Sequence, residues 1–123
     1  MKRILIASAL LAASATFAHA DPYTTLYGNT LSITAADGSK SSVWINQDMT
    51  WEQHFANGTV LKGTYAWKDA DTACFTTTDP PPKDPSMKPF CPANQSKPHN
   101  VGDNWSMQGP DGKTTTLTIT AGR

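Results

Sequence analysis

Three side chains able to do acid–base or metal chemistry stand out in the sequence: Glu52, His54 and His99. Glu52 and His54 lie two residues apart in residues 49–55, where inward and outward residues alternate, so both should project from one strand face about 7 Å apart. A carboxylate beside an imidazole can form an acid–base pair or share a metal ion. The solvated polar face of a half-buried strand gives the same pattern and is the favoured interpretation.

A copper site is a further possibility, because thioether sulfur and imidazole together suit copper. The candidate sulfur ligands are Met49, Met87 and Met107. Met49 and Met107 fall on predicted inward faces, where methionine usually packs. Two cysteines cannot complete a four-ligand zinc site by themselves. We therefore expect no tight metal site and no cofactor, with His54, His99 and Glu52 as the weak candidates for metal ligands.

Motifs of the common catalytic classes are not found in the sequence. There is no GxSxG nucleophile elbow and no glycine-rich phosphate loop, since Asp37-Gly38 and Asn57-Gly58 are hairpin turns. Lys+Arg and Asp+Glu both number 10, so the charge balance gives no reason to expect a nucleic-acid partner. These features favour a protein that is not an enzyme.

Residues 1–20 have the pattern of a secretory signal peptide. Lys2 and Arg3 precede a short apolar run, and Ala18-His19-Ala20 forms an A-x-A cleavage site. The run is too short to cross about 30 Å of hydrocarbon, so we expect cleavage after Ala20 and no membrane span in the product. The predicted organisation is a signal peptide over 1–20 and a single β-domain over 21–123, in the periplasm or secreted.

The elements that must position the candidate residues are short β-strands. Threonine-rich alternating runs, interrupted every few residues by Gly, Pro, Asn or Asp, make a helix hard to place after residue 23. The third strand should point Trp51, Gln53 and Phe55 inward. The predicted fold class is all-β: a small antiparallel up-and-down β-barrel or strongly curled sheet of about seven to eight strands, with a sandwich as the runner-up.

Cys74 and Cys91 are predicted to form a disulfide, because an even cysteine count in an exported chain indicates paired thiols. Residues 79–100 hold seven of the nine prolines. This loop is unlikely to form a strand ladder, since proline lacks the N–H donor. A loop of this length is either a stiff connector or a recognition element, and both interpretations stay open.

The candidate binding residues come from the loop and from the sheet. In the loop, Phe90 is the apolar anchor and Lys88 its neighbouring charge, and on the sheet Trp44 is the exposed aromatic residue. Gln53 shares the inward face with aromatic residues, and because a buried amide needs partners, it indicates a barrel end or a small cavity. We expect a binding module that acts through its loop face or a barrel cavity on a periplasmic or extracellular protein or on a small ligand.

Two alternatives to this binding module remain. A proline-stiffened, disulfide-anchored loop is pre-organised for docking, which suits an inhibitor of a cell-wall or proteolytic enzyme. A small hydrolase or metal-binding protein would instead use Glu52, His54 and His99. That alternative requires the three side chains to converge on one pocket.

The run Gly63-Thr64-Tyr65-Ala66-Trp67, followed by Cys74-Phe75 and the distant Cys91, resembles a pattern in small uncharacterised exported bacterial β-barrel proteins. In those proteins a G-T-x-x-W strand precedes a C-F strand. In size, export and disulfide use, the chain also resembles lipocalin-like and periplasmic lysozyme-inhibitor barrels. The lipocalin G-x-W start is not reproduced at Gly28-Asn29-Thr30, and no inhibitor motif is clear. The resemblance implies a small exported barrel and carries over no functional residues.

Overall fold

The computed structural model describes residues 21–84, 86–92 and 97–123, so the predicted signal peptide lies outside the described residues. The described chain forms the strands β1 (Thr30–Thr34), β2 (Lys40–Ile45), β3 (Thr50–Phe55), β4 (Val60–Trp67), β5 (Ala73–Asp79), β6 (Asn104–Gln108) and β7 (Thr114–Thr120). These ranges contain no helix that could cross a membrane. The predicted all-β class is confirmed, and the strand number agrees with the prediction.

The seven strands form one antiparallel sheet in the order β5-β4-β3-β2-β1-β7-β6. The sheet is strongly curled into a half-barrel. Strand β1 pairs with β2 on one side and with β7 on the other. This order is that of an up-and-down barrel in which each strand pairs with its neighbours in sequence and β1 pairs with β7. The barrel is open between β5 and β6, which do not pair.

The break in the barrel has a topological origin. Because every pairing in the sheet is antiparallel, β5 and β6 run in the same direction. The connection from β5 to β6 must therefore lead from one end of the sheet back to the other, as an eighth antiparallel strand between them would. Among its described residues, Phe90 forms the one β-bridge, to Phe75 on β5. Pro89 and Pro92 flank this bridge, and their missing N–H groups keep a longer ladder from forming.

The predicted disulfide is present between Cys74 and Cys91, whose Cα atoms are 4.2 Å apart. Cys74 precedes Phe75 and Cys91 follows Phe90, so the disulfide joins the next residue pair in the register of the bridge. A short Cα separation is expected for such a pair in an antiparallel ladder. The bond therefore fixes this part of the loop against the edge of β5.

The core lies on the concave face of the half-barrel. Inward residues of β2 and β3 lie opposite each other, with Ile45 paired to Trp51 and Val43 paired to Gln53. Tyr23, from the turns that precede β1, covers one end, with its ring centroid 4.8 Å from that of Trp67. In the described part of the chain, ten buried residues form this core: Tyr23, Leu26, Leu31, Val43, Ile45, Trp51, Tyr65, Ala73, Leu117 and Ile119.

Met49 was predicted to face inward and does not. It is 45% exposed and has a positive φ of 70°, because it ends the turn that leads into β3. Its N–H donates a hydrogen bond to the carbonyl of Asn46. The alternating pattern of β3 was therefore extended one residue too far, into the turn. Val101 is 48% exposed in a second turn, and β6 begins only at Asn104.

Candidate functional site

A cavity of about 530 Å³ runs along the concave face of the half-barrel. Apolar side chains line much of it and are only half buried, because the open barrel leaves them facing the cavity instead of a second layer. A volume in the range of about 300–1,000 Å³ with mainly apolar walls is typical of small-molecule sites. The half-buried apolar residues include Ile33, Phe55, Leu61, Phe75, Trp105 and Met107.

A polar pair interrupts this apolar wall. Strand alternation points Gln53 into the cavity, and the register with β2 brings Ser41 within reach. The Gln53 amide Nε2 donates to Ser41 Oγ at 3.0 Å. The sequence predicted that the inward amide of Gln53 has a hydrogen-bond partner, and that partner is the hydroxyl of Ser41 on the neighbouring strand. The pair gives a ligand a place for hydrogen bonding within an apolar surface.

Among the described residues, two lysines, one histidine and one aspartate line the cavity: Lys40, Lys97, His99 and Asp111. Asp111 is engaged in its own turn, where its Oδ1 accepts a hydrogen bond from the Lys113 N–H at 3.0 Å. Lys40 and Lys97 form no ion pair with any carboxylate in the described part of the chain. The charge available to a ligand in this cavity is therefore mainly positive.

His99 lies flat on Trp105. The two ring centroids are 3.5 Å apart and the ring planes differ by 3°. Burial lowers the pKa of His99, and the nearby charge of Lys97 adds to this effect, while the carboxylate of Asp103 opposes it. His99 Nδ1 and Asp103 Oδ2 are 3.9 Å apart. The stack joins the loop to β6 at the wall of the cavity.

The predicted Glu52–His54 pair lies on the opposite, convex face. Its His54 Nε2 and Glu52 Oε2 atoms are 3.1 Å apart, and Lys62 Nζ lies 3.6 Å from Glu52 Oε1. The hydrogen bond with His54 is the main cause of a lowered pKa of Glu52, and the charge of Lys62 contributes. Because His99 lines the cavity, the three side chains required by a hydrolase or metal site do not converge.

Potential metal ligands are not grouped elsewhere in the described chain either. Within residues 21–84, 86–92 and 97–123, no three His, Cys, Asp or Glu side chains are grouped closely enough to hold a metal ion. Met107 lines the cavity, while Met87 is 65% exposed in the loop. Of the three methionines named from the sequence, Met107 shares the cavity with His99, while Met49 and Met87 are exposed.

The four tentative binding residues divide between the cavity and the outside. Gln53 and Phe90 line the cavity, and Phe90 is half buried there. Lys88 is exposed on the loop. Trp44 lies on the convex face, where its Nε1 donates to Thr30 Oγ1 at 3.1 Å and its ring centroid is 4.4 Å from that of His54. It is half buried, in contrast with the exposed aromatic surface that was expected.

Sequence reasoning missed the two cavity lysines. Lys40 alternates with the inward Ser41 and would be assigned to the outside, but it begins β2 at the rim, where the side chain reaches the cavity. Lys97 belongs to the proline-rich loop, whose path depends on the disulfide and on the His99–Trp105 stack. No local sequence signal gives either position.

Comparison of the chain with protein-family models, with curated protein sequences and with solved structures gives no match. What the chain does is therefore inferred from its own geometry.

Proposed function

We propose that this protein is an exported, non-enzymatic binding protein whose half-barrel cavity holds a small, largely apolar ligand. The observation that carries this proposal is the cavity of about 530 Å³ with its half-buried apolar wall. Burying apolar surface is worth about 25 cal/mol per Å², and a ligand that covers this wall would gain that contribution. Gln53 and Ser41 would orient the ligand through its polar atoms.

Export is supported by the signal-peptide pattern of residues 1–20 and by the Cys74–Cys91 disulfide. Disulfides persist in oxidising compartments such as the periplasm and the extracellular space. The ligand of this protein would therefore be a molecule present in the periplasm or outside the cell.

A non-enzymatic role is supported by the separation of the acid–base groups. Glu52 and His54 are held together on the convex face, while the apolar cavity lies on the concave one. In the cavity, the His99 ring is engaged in a stack with Trp105. An acid–base mechanism needs both groups within hydrogen-bond reach of the reacting atoms, and neither Glu52 nor His54 lines the cavity.

The test uses N-phenyl-1-naphthylamine, a neutral apolar dye whose fluorescence rises in an apolar site. We expect saturable binding to the exported chain with its disulfide intact. Leu61→Trp should weaken binding about tenfold, which corresponds to 1.4 kcal/mol, because the added volume enters the cavity. The control is Thr64→Trp, which adds the same side chain at an exposed position of the same strand.

Circular dichroism of both variants would establish that they keep the β-sheet spectrum. Absence of saturable dye binding to the parent protein would overturn the proposed function. Equal binding by the Leu61 and Thr64 variants would move the binding site away from the cavity.

A further inference from the structure

The cavity has two chemically different ends. Tyr23 and Leu26 close one end with apolar side chains that are 5% and 7% exposed. Tyr23 packs there against Trp67, the last residue of β4. Since β2 and β4 run in the same direction, this end also contains Ile45, the last residue of β2, and Lys40, the first residue of β2, lies at the other end.

The strand register places His99 and Trp105 near the Lys40 end. Trp105 is paired with Leu117, and Leu117 is paired with Ile33 on β1. Ile33 is in turn paired with Ser41, the neighbour of Lys40. Trp105 therefore lies within one residue of the level of Lys40 across the curled sheet, and it carries the stacked His99 ring with it.

Lys97 belongs to the same end. It lies two residues before His99, lines the cavity, and its positive charge contributes to the lowered pKa of His99. The cavity thus has two ammonium groups, Lys40 and Lys97, that form no ion pair with a described carboxylate. The carboxylate of Asp111 is hydrogen-bonded within its own turn. We call this the cationic end of the cavity, defined by Lys40 and Lys97, with the stacked His99 ring beside them.

We propose that the ligand is an amphiphile with an anionic head group, held with its apolar body against the concave wall and its head between Lys40 and Lys97. This inference rests on the proposed function and adds the ligand class. An apolar body directed toward Tyr23 and Leu26 matches the closed end. An anionic head at the other end would pair with the two ammonium groups, which form no ion pair with a described carboxylate.

The test compares three amphiphiles with the same dodecyl tail, each below its micelle concentration, as competitors of the bound dye: dodecanoate, dodecyl maltoside and dodecyltrimethylammonium. Dodecanoate should displace the dye at about tenfold lower concentration than the neutral maltoside, and the cationic amphiphile should be the weakest. Raising the salt concentration should reduce this preference, because rim charges are screened over about 10 Å at 0.1 M.

Charge-neutral variants connect the preference to the cationic end. Lys40→Gln and Lys97→Gln should each reduce dodecanoate affinity several-fold, and the double variant should bind dodecanoate and maltoside equally. Lys62→Gln is the matched control, because this lysine is ion-paired with Glu52 on the convex face. Its affinity for dodecanoate should not change.

The outcomes separate this inference from the proposed function. If the dye binds but the three head groups compete equally, or if the double variant keeps the preference for dodecanoate, the anionic ligand class is wrong and the cavity function stands. If the dye itself does not bind to the parent protein, the proposed function is wrong, and the ligand class that rests on it is wrong as well.

Discussion

Phe75 and Phe90 exchange two backbone hydrogen bonds across the break in the barrel, from Phe75 N–H to Phe90 C=O at 2.7 Å and from Phe90 N–H to Phe75 C=O at 2.9 Å. The neighbouring pair in the same register is the Cys74–Cys91 disulfide. A full eighth strand on this path would close the barrel around the concave face. Prolines restrict the pairing to this one point, so the loop is anchored while the cavity stays accessible.

Removing the disulfide should lower stability. The bond closes a loop with a sequence separation of 17 residues, and the double variant C74S/C91S is expected to reduce the free energy of unfolding by about 3 kcal/mol because its unfolded chain is less restricted. Urea unfolding followed by tryptophan fluorescence measures the change. The reduced parent protein is the control and should match the variant. A difference below about 1 kcal/mol would contradict the loop-closure account.

The sequence predicted what depends on local alternation. Trp51 and Gln53 face inward, as the period-two pattern predicted, and the disulfide followed from cysteine parity in a chain expected to be exported. The inward prediction for Met49 was wrong, because its positive φ ends the strand alternation and no glycine in the sequence marks this turn. The pattern is a property of neighbouring residues, so it ends wherever the backbone leaves the strand conformation.

The site itself was predicted only in part. Gln53 pointed to a cavity because an inward amide needs a partner, and that partner is Ser41. The cationic end could not be predicted, since it joins the start of β2 with a loop that contacts the sheet through Phe90, the disulfide and the His99–Trp105 stack. Such contacts are long-range and have no period in the sequence.

Gly63 should not tolerate a side chain. A Cβ at this position would lie 1.9 Å from the carbonyl oxygen of Thr76 and 2.7 Å from Cε2 of Trp51. Neither group can move easily, because Thr76 is paired within the sheet and the Trp51 Nε1 donates to the Thr64 carbonyl at 3.0 Å. We expect Gly63→Ala to lower the free energy of unfolding by about 3 kcal/mol or more, at the upper end for overpacking.

Thr64→Ala is the control for the Gly63 variant, since Thr64 is the exposed neighbour on the same strand. It should change the free energy of unfolding by less than about 0.5 kcal/mol. Thermal unfolding of both variants gives the comparison. A Gly63→Ala protein that unfolds at the parent temperature would show that β4 and β5 are further apart than described.

Arg123 ties the segment after β7 to the end of β2. Its guanidinium donates to the Ile45 carbonyl at 2.9 Å, to Asn46 Oδ1 at 2.6 Å and to the Asn29 carbonyl at 3.3 Å. Arg123→Ala should cost about 1 kcal/mol in urea unfolding, because partly exposed hydrogen bonds contribute modestly. Arg123→Lys should recover only part of this, since an ammonium cannot contact three acceptors in the geometry of the fork. Full recovery by lysine would assign the effect to charge alone.

His99 should make the folded protein less stable in mild acid. Burial against Trp105 holds the pKa of His99 below its ordinary value of 6.5. As the pH falls through about 6.5, the unfolded chain takes up a proton at His99 that the folded chain does not bind, so the free energy of unfolding decreases. His99→Gln removes the titrating imidazole from the folded and the unfolded chain alike. The stability difference between the parent protein and the variant should therefore shift against the parent between about pH 7 and about pH 5. Carboxylates with a lowered pKa, such as Glu52, also destabilise the fold on acidification, but they do so at lower pH and equally in both proteins.

Urea unfolding at three pH values gives the difference, and an NMR titration of the imidazole of His99 measures its pKa directly. Parallel pH profiles of the two proteins, or a measured pKa above the ordinary value, would show that the His99–Trp105 stack does not disfavour the charged ring.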